Sequence, residues 1–212
     1  MMRIVVLSVA FGFTSKFADL CNEHGVRWFR GADLALGAVW GAAGAALVLT
    51  DPAVGAVVVA TTLYWFLRVK LEYPNHALAG VLIMLAALAL DDRRRPDFLP
   101  VLGLLTWLAA SGYVNTYLKE SFPLPEHRRL HRFLRLRLRY YAGPLVYALC
   151  IHRVEPLAST IAGFLGTEVL TVWFARRFAT GEELLVRSLG IVRGHARVLP
   201  DGRPLAGTTS VR

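Results

Sequence analysis

The sequence predicts an all-α integral membrane protein: a polytopic bundle of six to seven, most simply seven, transmembrane helices with one interfacial amphipathic helix. Three observations predict it. Hydrophobic residues make up 55% of the 212 and charged residues only 18%, whereas a soluble domain carries about a quarter charged residues. The apolar residues gather into stretches separated by short polar connections. Finally, 19 of the 24 Lys and Arg fall in alternate connections, the asymmetry that marks cytoplasmic loops. The expected topology has the N-terminus outside and the C-terminus cytoplasmic, in a cell membrane. Residues 1–178 make the bundle and 179–212 a polar cytoplasmic tail.

The stretches run over 3–13, 34–49, 54–67, 77–90, 98–118, 140–151 and 156–175. About 20 residues are needed to cross roughly 30 Å of hydrocarbon, so seven spans use most of the chain. The net charge of +9 then reads as topology, and the partner it implies is a bilayer with anionic headgroups rather than nucleic acid. Two cysteines, Cys21 and Cys150, exclude a disulfide framework and a zinc-type spacing.

The first segment has the charge and apolar run of a signal peptide without a small-x-small cleavage site. It is read as a short helix reaching about Cys21, with Lys16 extended toward water. The second carries Gly37-x-x-x-Gly41 and then Gly44, small residues that let backbones approach, and is expected near the centre of the bundle. Asp51-Pro52 marks a tight outside turn. Asn75 is expected to cap the fourth helix. Residues 91–97 form a charged loop before Pro100. The connection 119–139 is the longest: Pro123 and Pro125 stop a helix, and 126–139 then sets Leu130, Phe133, Leu134 and Leu138 opposite Arg128, Arg132, Arg135 and Arg139. That pattern suits a helix lying in the interface, though it also suits a plain basic loop. In the tail, 186–198 followed by Asp201-Gly202 suggests a small hairpin.

Five of the six histidines (24, 76, 127, 131 and 195) also fall on the basic side. The first inner connection is the densest in chemistry, with Lys16, Asp19, Glu23, His24, Arg27, Arg30 and Asp33. Asp19 and Glu23 share a helical face at i, i+4 and are candidate ligands for a divalent metal such as Mg²⁺. The same residues are also what any helix end offers to water. His76, at the mouth of the fourth stretch, and His24 are candidate catalytic bases; a helix N-terminus favours the neutral imidazole. Glu168 lies within the last stretch. A charge at the centre of a span costs about 2.5–3.5 kcal/mol, so it is expected to have a function and a partner among Lys16, Tyr64, His76 and Asn115. Asn115 reads as interhelical glue.

The chain lacks the Asp-Gly-x-x-Ala-Arg motif of CDP-alcohol phosphotransferases, the Gly-x-Ser-Gly of rhomboid proteases and the Asn-Asp-x-x-Asp of intramembrane prenyltransferases. What remains is an expectation by location. Asp19, Glu23, His24, His76 and Glu168 approach the inner half of the bilayer from different segments. They suit an enzyme acting on a lipid or lipid-linked phosphate at the cytoplasmic face, with metal-polarised phosphate and a histidine base. The alternatives are a non-catalytic membrane subunit, or a proton- or ion-coupled transporter centred on Glu168.

Overall fold

The computed structural model describes residues 1–23, 31–68, 74–91, 95–122, 127, 130, 134 and 138–178, with side chains described at these positions except 20–23, 139 and 173–178. Among the described residues every element is a helix: α1 (Met2–Glu23), α2 (Ala32–Thr50), α3 (Pro52–Leu67), α4 (Pro74–Leu88), α5 (Phe98–Ser121), α6 (Leu138–Cys150) and α7 (Glu155–Phe178). Each apolar stretch coincides with one of them. Helices α2 and α5 are long and apolar enough to cross a membrane, and α3 and α4 are shorter apolar helices. The interfacial helix expected over 126–139 and the tail hairpin lie outside the described residues, apart from isolated positions and the start of α6.

Helix bounds depart from the apolar bounds where polar residues continue a helix. Helix α1 extends ten residues past Phe13, to Glu23, because Thr14 and Ser15 bond back along their own helix. Thr14 Oγ1 donates to the Ala10 carbonyl at 2.7 Å and Ser15 Oγ to that of Gly12 at 2.9 Å.

Successive helices alternate in direction. Asp51 alone separates α2 from α3. Its Oδ1 accepts from the N–H groups of Ala53 and Val54 at 2.9 and 3.0 Å, an N-cap followed by proline at the first helical position. At the same end Arg153 reaches Asp51 Oδ2 at 2.5 Å and Glu155 at 3.4 Å. His152, in the left-handed region at φ 53°, closes the end of α6, and the Arg153 N–H donates to the Ala148 carbonyl at 3.0 Å. That turn aims the guanidinium across the molecule. Arg95 satisfies the terminal carbonyls of Leu88 and Leu90 beyond α4.

Packing follows the small residues. Helix α2 lies against α1, α3 and α4, and α1 runs parallel to α7, since Ser8 meets Ser159 and Gly12 meets Gly163. A Cβ on Gly37 would stand 2.8 Å from Asn75 Cα, and one on Gly41 2.8 Å from Ala79 Cα, so the glycine face of α2 is spent on α4. The glycines of α2 bring α4 close, and α3 touches α2, α4, α5 and α7. Helix α3 buries Val54, Val58, Val59, Thr62 and Tyr64 among others, because its neighbours cover it on several sides. Across the α1–α7 seam Gly12 meets Gly163, and Thr167 Oγ1 donates to the Gly12 carbonyl at 3.1 Å. Ser8 Oγ gives its proton to the Ile4 carbonyl at 2.7 Å, so the 2.7 Å contact with Ser159 is a bond donated by Ser159.

Candidate functional site: a carboxylate and an imidazole between helices

At the end of the bundle where α1 and α3 finish and α2 and α4 begin, four helices contribute to one cluster. Pro74 is the first residue of α4, a position where its missing N–H costs nothing. Asn75 is therefore inside the first turn, and the expected N-cap is corrected. Its side chain does something else. Asn75 Nδ2 donates to the Ala18 carbonyl of α1 at 3.2 Å. Its Oδ1 accepts from the His76 backbone N–H at 2.8 Å and faces His76 Nδ1 at 2.9 Å. Asn75 is 0% exposed and ties α1 to α4 through a fully buried amide.

This arrangement sets the tautomer of His76. With the amide nitrogen on Ala18, the oxygen toward the ring can only accept, so Nδ1 carries a hydrogen. The other ring nitrogen, Nε2, lies 3.2 Å from Asp19 Oδ1. A lone pair on Nε2 facing a carboxylate would be repulsive. A proton shared between the two atoms makes the contact favourable. His76, expected as a base at a helix N-terminus, thus faces the Asp19 side chain of α1.

The two partners are unequally covered. The His76 side chain is 8% exposed and that of Asp19 24%, so Asp19 is the outward member. Lys16 Nζ stands 4.0 Å from Asp19 Oδ2, one turn back on α1. Beneath the imidazole lies Trp40 of α2, perpendicular to it at 5.0 Å between ring centroids. Trp65 of α3 is 5.0 Å from Trp40, and Phe11 of α1 is 6.2 Å from both. The Trp40 indole Nε1 is buried and has no hydrogen-bond partner among the described residues. Leaving a buried donor unmade costs about 1–3 kcal/mol.

Of the residues singled out in the sequence, the structure brings Asp19 and His76 together. His24 and the side chain of Glu23 lie outside the described residues. Among the described residues no three His, Cys, Asp or Glu side chains gather as a metal set, and Asp19 meets an imidazole rather than a second carboxylate. Glu168 is on an exposed face of α7, with Leu165, Val169 and Val172 beside it. The contacts of Ser8 with Ser159 and Gly12 with Thr167 set the register of α1 on α7 and bring Lys16 to about the level of Glu168. Asn115 is buried in α5, on the face that also holds Gly112 against Tyr64.

Asn75 was singled out as a cap rather than as an anchor between helices, and the indole of Trp40 and the floor of Trp65 and Phe11 were not singled out from sequence. An aromatic residue near the polar end of an apolar stretch is the only signal they leave. Comparison with family models, with curated proteins and with solved structures finds no match.

Proposed function

We propose that this chain is a multi-pass integral membrane protein, with its N-terminus outside and C-terminus cytoplasmic, that acts on a lipid or lipid-linked phosphate at the cytoplasmic face. The membrane reading is supported by exposed apolar side chains on successive helices: Val6 and Val9 on α1, Val39 on α2, Leu85 on α4, Leu102 and Val114 on α5, Val146 on α6, and Leu165 on α7. Apolar surface on that scale is unusual in a soluble monomer. Helix α1 (22 residues) and α7 (24 residues) are long enough to add spans to α2 and α5. The 16 residues of α3 and 15 of α4 rise about 24 and 22 Å, within what local thinning of the bilayer accommodates.

The observation that carries the reaction is the 3.2 Å contact of His76 Nε2 with Asp19 Oδ1, with the ring held by Asn75. A pair holding one proton can release it through Asp19 to a departing oxygen and recover it from an incoming hydroxyl or water. Lys16 beside Asp19 supplies positive charge for a phosphate oxygen. The test is to reconstitute the protein in phospholipid vesicles and follow the lipids by phosphorus NMR and mass spectrometry. Wild type should change a lipid species, and Asp19→Asn should lose that change while keeping its helicity. Absence of any change with wild type, or an equal rate with Asp19→Asn, overturns the reading.

A second reading, a non-catalytic subunit, is favoured by one observation. Both ring nitrogens of His76 face groups of the same chain, so the pair also serves to join α1 to α4. In that case Asp19→Asn lowers thermal stability and no lipid conversion is seen with any variant.

A further inference from the structure

We infer that the inner end of the α3–α5 seam binds a phosphate group, held by the Arg68 guanidinium, the Tyr64 hydroxyl and the Asn115 amide. This goes beyond the proposed reaction, since none of the three belongs to the Asp19–His76 cluster. Helices α3 and α5 run in the same direction: Gly55 meets Pro96 near their starts, and Tyr64 meets Gly112 near their ends. A Cβ on Gly112 would collide with Tyr64 Oη, so the phenol points at the bare backbone of α5. Arg68, one turn further along α3, donates from Nη1 to that oxygen at 3.2 Å, and its guanidinium carbon is 5.9 Å from the Tyr64 ring centroid. Asn115 lies on the buried line of α5 with Leu104, Leu108 and Gly112. Three residues past Gly112 is about 4.5 Å of rise, and helical side chains lean toward the N-terminus, so the amide leans back toward the phenol oxygen.

These groups are short of partners. Tyr64 is 3% exposed and Asn115 9%. The Asn115 amide makes no hydrogen bond among the described residues, and the Tyr64 hydroxyl accepts from Arg68 but donates to none of them. No carboxylate among them pairs with Arg68. Buried polar groups are nearly always paired, and an exception calls for a missing partner. The hydrogens on offer come from a guanidinium, a phenol and an amide. A water accepts two of them and leaves the charge unmet. A phosphate accepts all three, and its oxygens fit the guanidinium fork. The depth agrees. Arg68 directly follows the 16 residues of α3, which rise about 24 Å, and so stands at the headgroup level of the basic face.

The phosphate can belong to a lipid or to a soluble molecule, and the experiment separates the two. The full chain, ¹⁵N-labelled at Asn22, Asn75 and Asn115, is freed of native lipid and held in dodecyl maltoside, which contains no phosphate. It is titrated with dioleoyl phosphatidic acid, with glycerol 3-phosphate, and with dioleoylglycerol as the phosphate-free control. The Asn115 side-chain amide signal, assigned by its loss in Asn115→Ala, should move with a phosphate ligand and stay in place with dioleoylglycerol. Arg68→Gln and Tyr64→Phe should each weaken binding about tenfold or more with helicity unchanged. Movement with phosphatidic acid alone assigns the site to lipid, and movement with glycerol 3-phosphate assigns it to the soluble phosphate. A signal unmoved by both, moved equally by dioleoylglycerol, or moved with wild-type affinity in either variant overturns the inference. The comparison of lipid conversion between wild type and Asp19→Asn is independent of these results, so the two readings fail separately.

Discussion

Gly37 is the position where the geometry of the site can be disturbed without touching any of its polar atoms. In an exposed helix interior, Gly→Ala stabilises by about 0.8–1.0 kcal/mol through backbone entropy. At Gly37 the new Cβ would lie 2.8 Å from the Cα, the Cβ and the carbonyl oxygen of Asn75. Carbon atoms rest at about 3.5–4.0 Å, so the α2–α4 interface must open by roughly 0.7–1 Å. None of the three atoms can rotate away, since two are backbone and the third is attached to it. Overpacking of this kind costs about 1–3 kcal/mol, which offsets the propensity gain and predicts a net loss of up to about 2 kcal/mol. The displaced residue is the one that holds His76. A shift of that size would take the 3.2 Å bond from Asn75 Nδ2 to Ala18 and the 3.2 Å contact of His76 with Asp19 beyond hydrogen-bonding reach. Stability and lipid conversion should therefore fall together. Gly103→Ala is the matched control, because a Cβ there meets nothing within 4 Å, and it should be neutral or stabilising. Thermal unfolding in detergent, followed by circular dichroism, measures both. If Gly37→Ala is stabilised as Gly103→Ala is, the close approach of α2 to α4 is wrong, and with it the placement of His76.

Three further perturbations test other parts of the fold. Asp51→Ala removes a helix cap worth about 1 kcal/mol together with the Arg153 contact; it should lower the unfolding midpoint more than Arg153→Gln does. In a double-mutant cycle of Ser8→Ala and Ser159→Ala, the buried hydroxyl pair should show a coupling of about 0.6 kcal/mol, the average for such bonds in membrane helices. The Glu155 carboxyl is held below its ordinary value of 4.5 by the bond to its own backbone N–H and then by Arg153. A depressed carboxyl contributes stability above its unfolded value and loses it as pH falls through the folded one. The stability difference between wild type and Glu155→Gln should thus be constant near neutrality and shrink on acidification below about 4.5; a difference that grows there refutes the assignment.

The seven helices were legible because each needs an apolar run, and runs are local. Their ends were less so. Hydropathy stops at Phe13 while the helix continues to Glu23, since hydroxyl side chains and charged residues do not break a helix that already has its hydrogen bonds. Asp19 and His76 were both legible as chemical residues, one as a metal ligand and the other as a base. Their pairing was not, because it joins positions 57 residues apart and depends on which face of α2 meets α4. Gly37, Gly41 and Gly44 marked a close contact without naming the partner helix. Asp51 was legible as a turn but not as a cap, and Arg153 entered only as a charge to be counted. Its reach to Asp51 follows from the left-handed turn at His152, which no composition or spacing announces.

Glu168 shows how depth along a helix and direction around it separate. Its position in the last apolar stretch suggested a carboxylate facing the bundle interior. Around α7, Ser159, Ala162 and Leu170 are buried, and Thr167 bonds across to α1. One residue further, about 100° around the helix, Glu168 is exposed with Leu165, Val169 and Val172. A transport route needs its carboxylate enclosed among polar groups, and this face is apolar. Seven residues before Ala175, it lies about 10 Å of helix rise from the end of the last apolar stretch, where a flexible carboxylate can reach toward Lys16 at the same level. An exposed ion pair contributes only about 0–1 kcal/mol. Glu168→Gln and Glu168→Leu should accordingly leave lipid conversion within about twofold of wild type, where twofold corresponds to about 0.4 kcal/mol in the barrier, while Asp19→Asn abolishes it. A loss with Glu168→Leu as deep as that of Asp19→Asn would move the centre of the chemistry from the α1–α4 contact to α7.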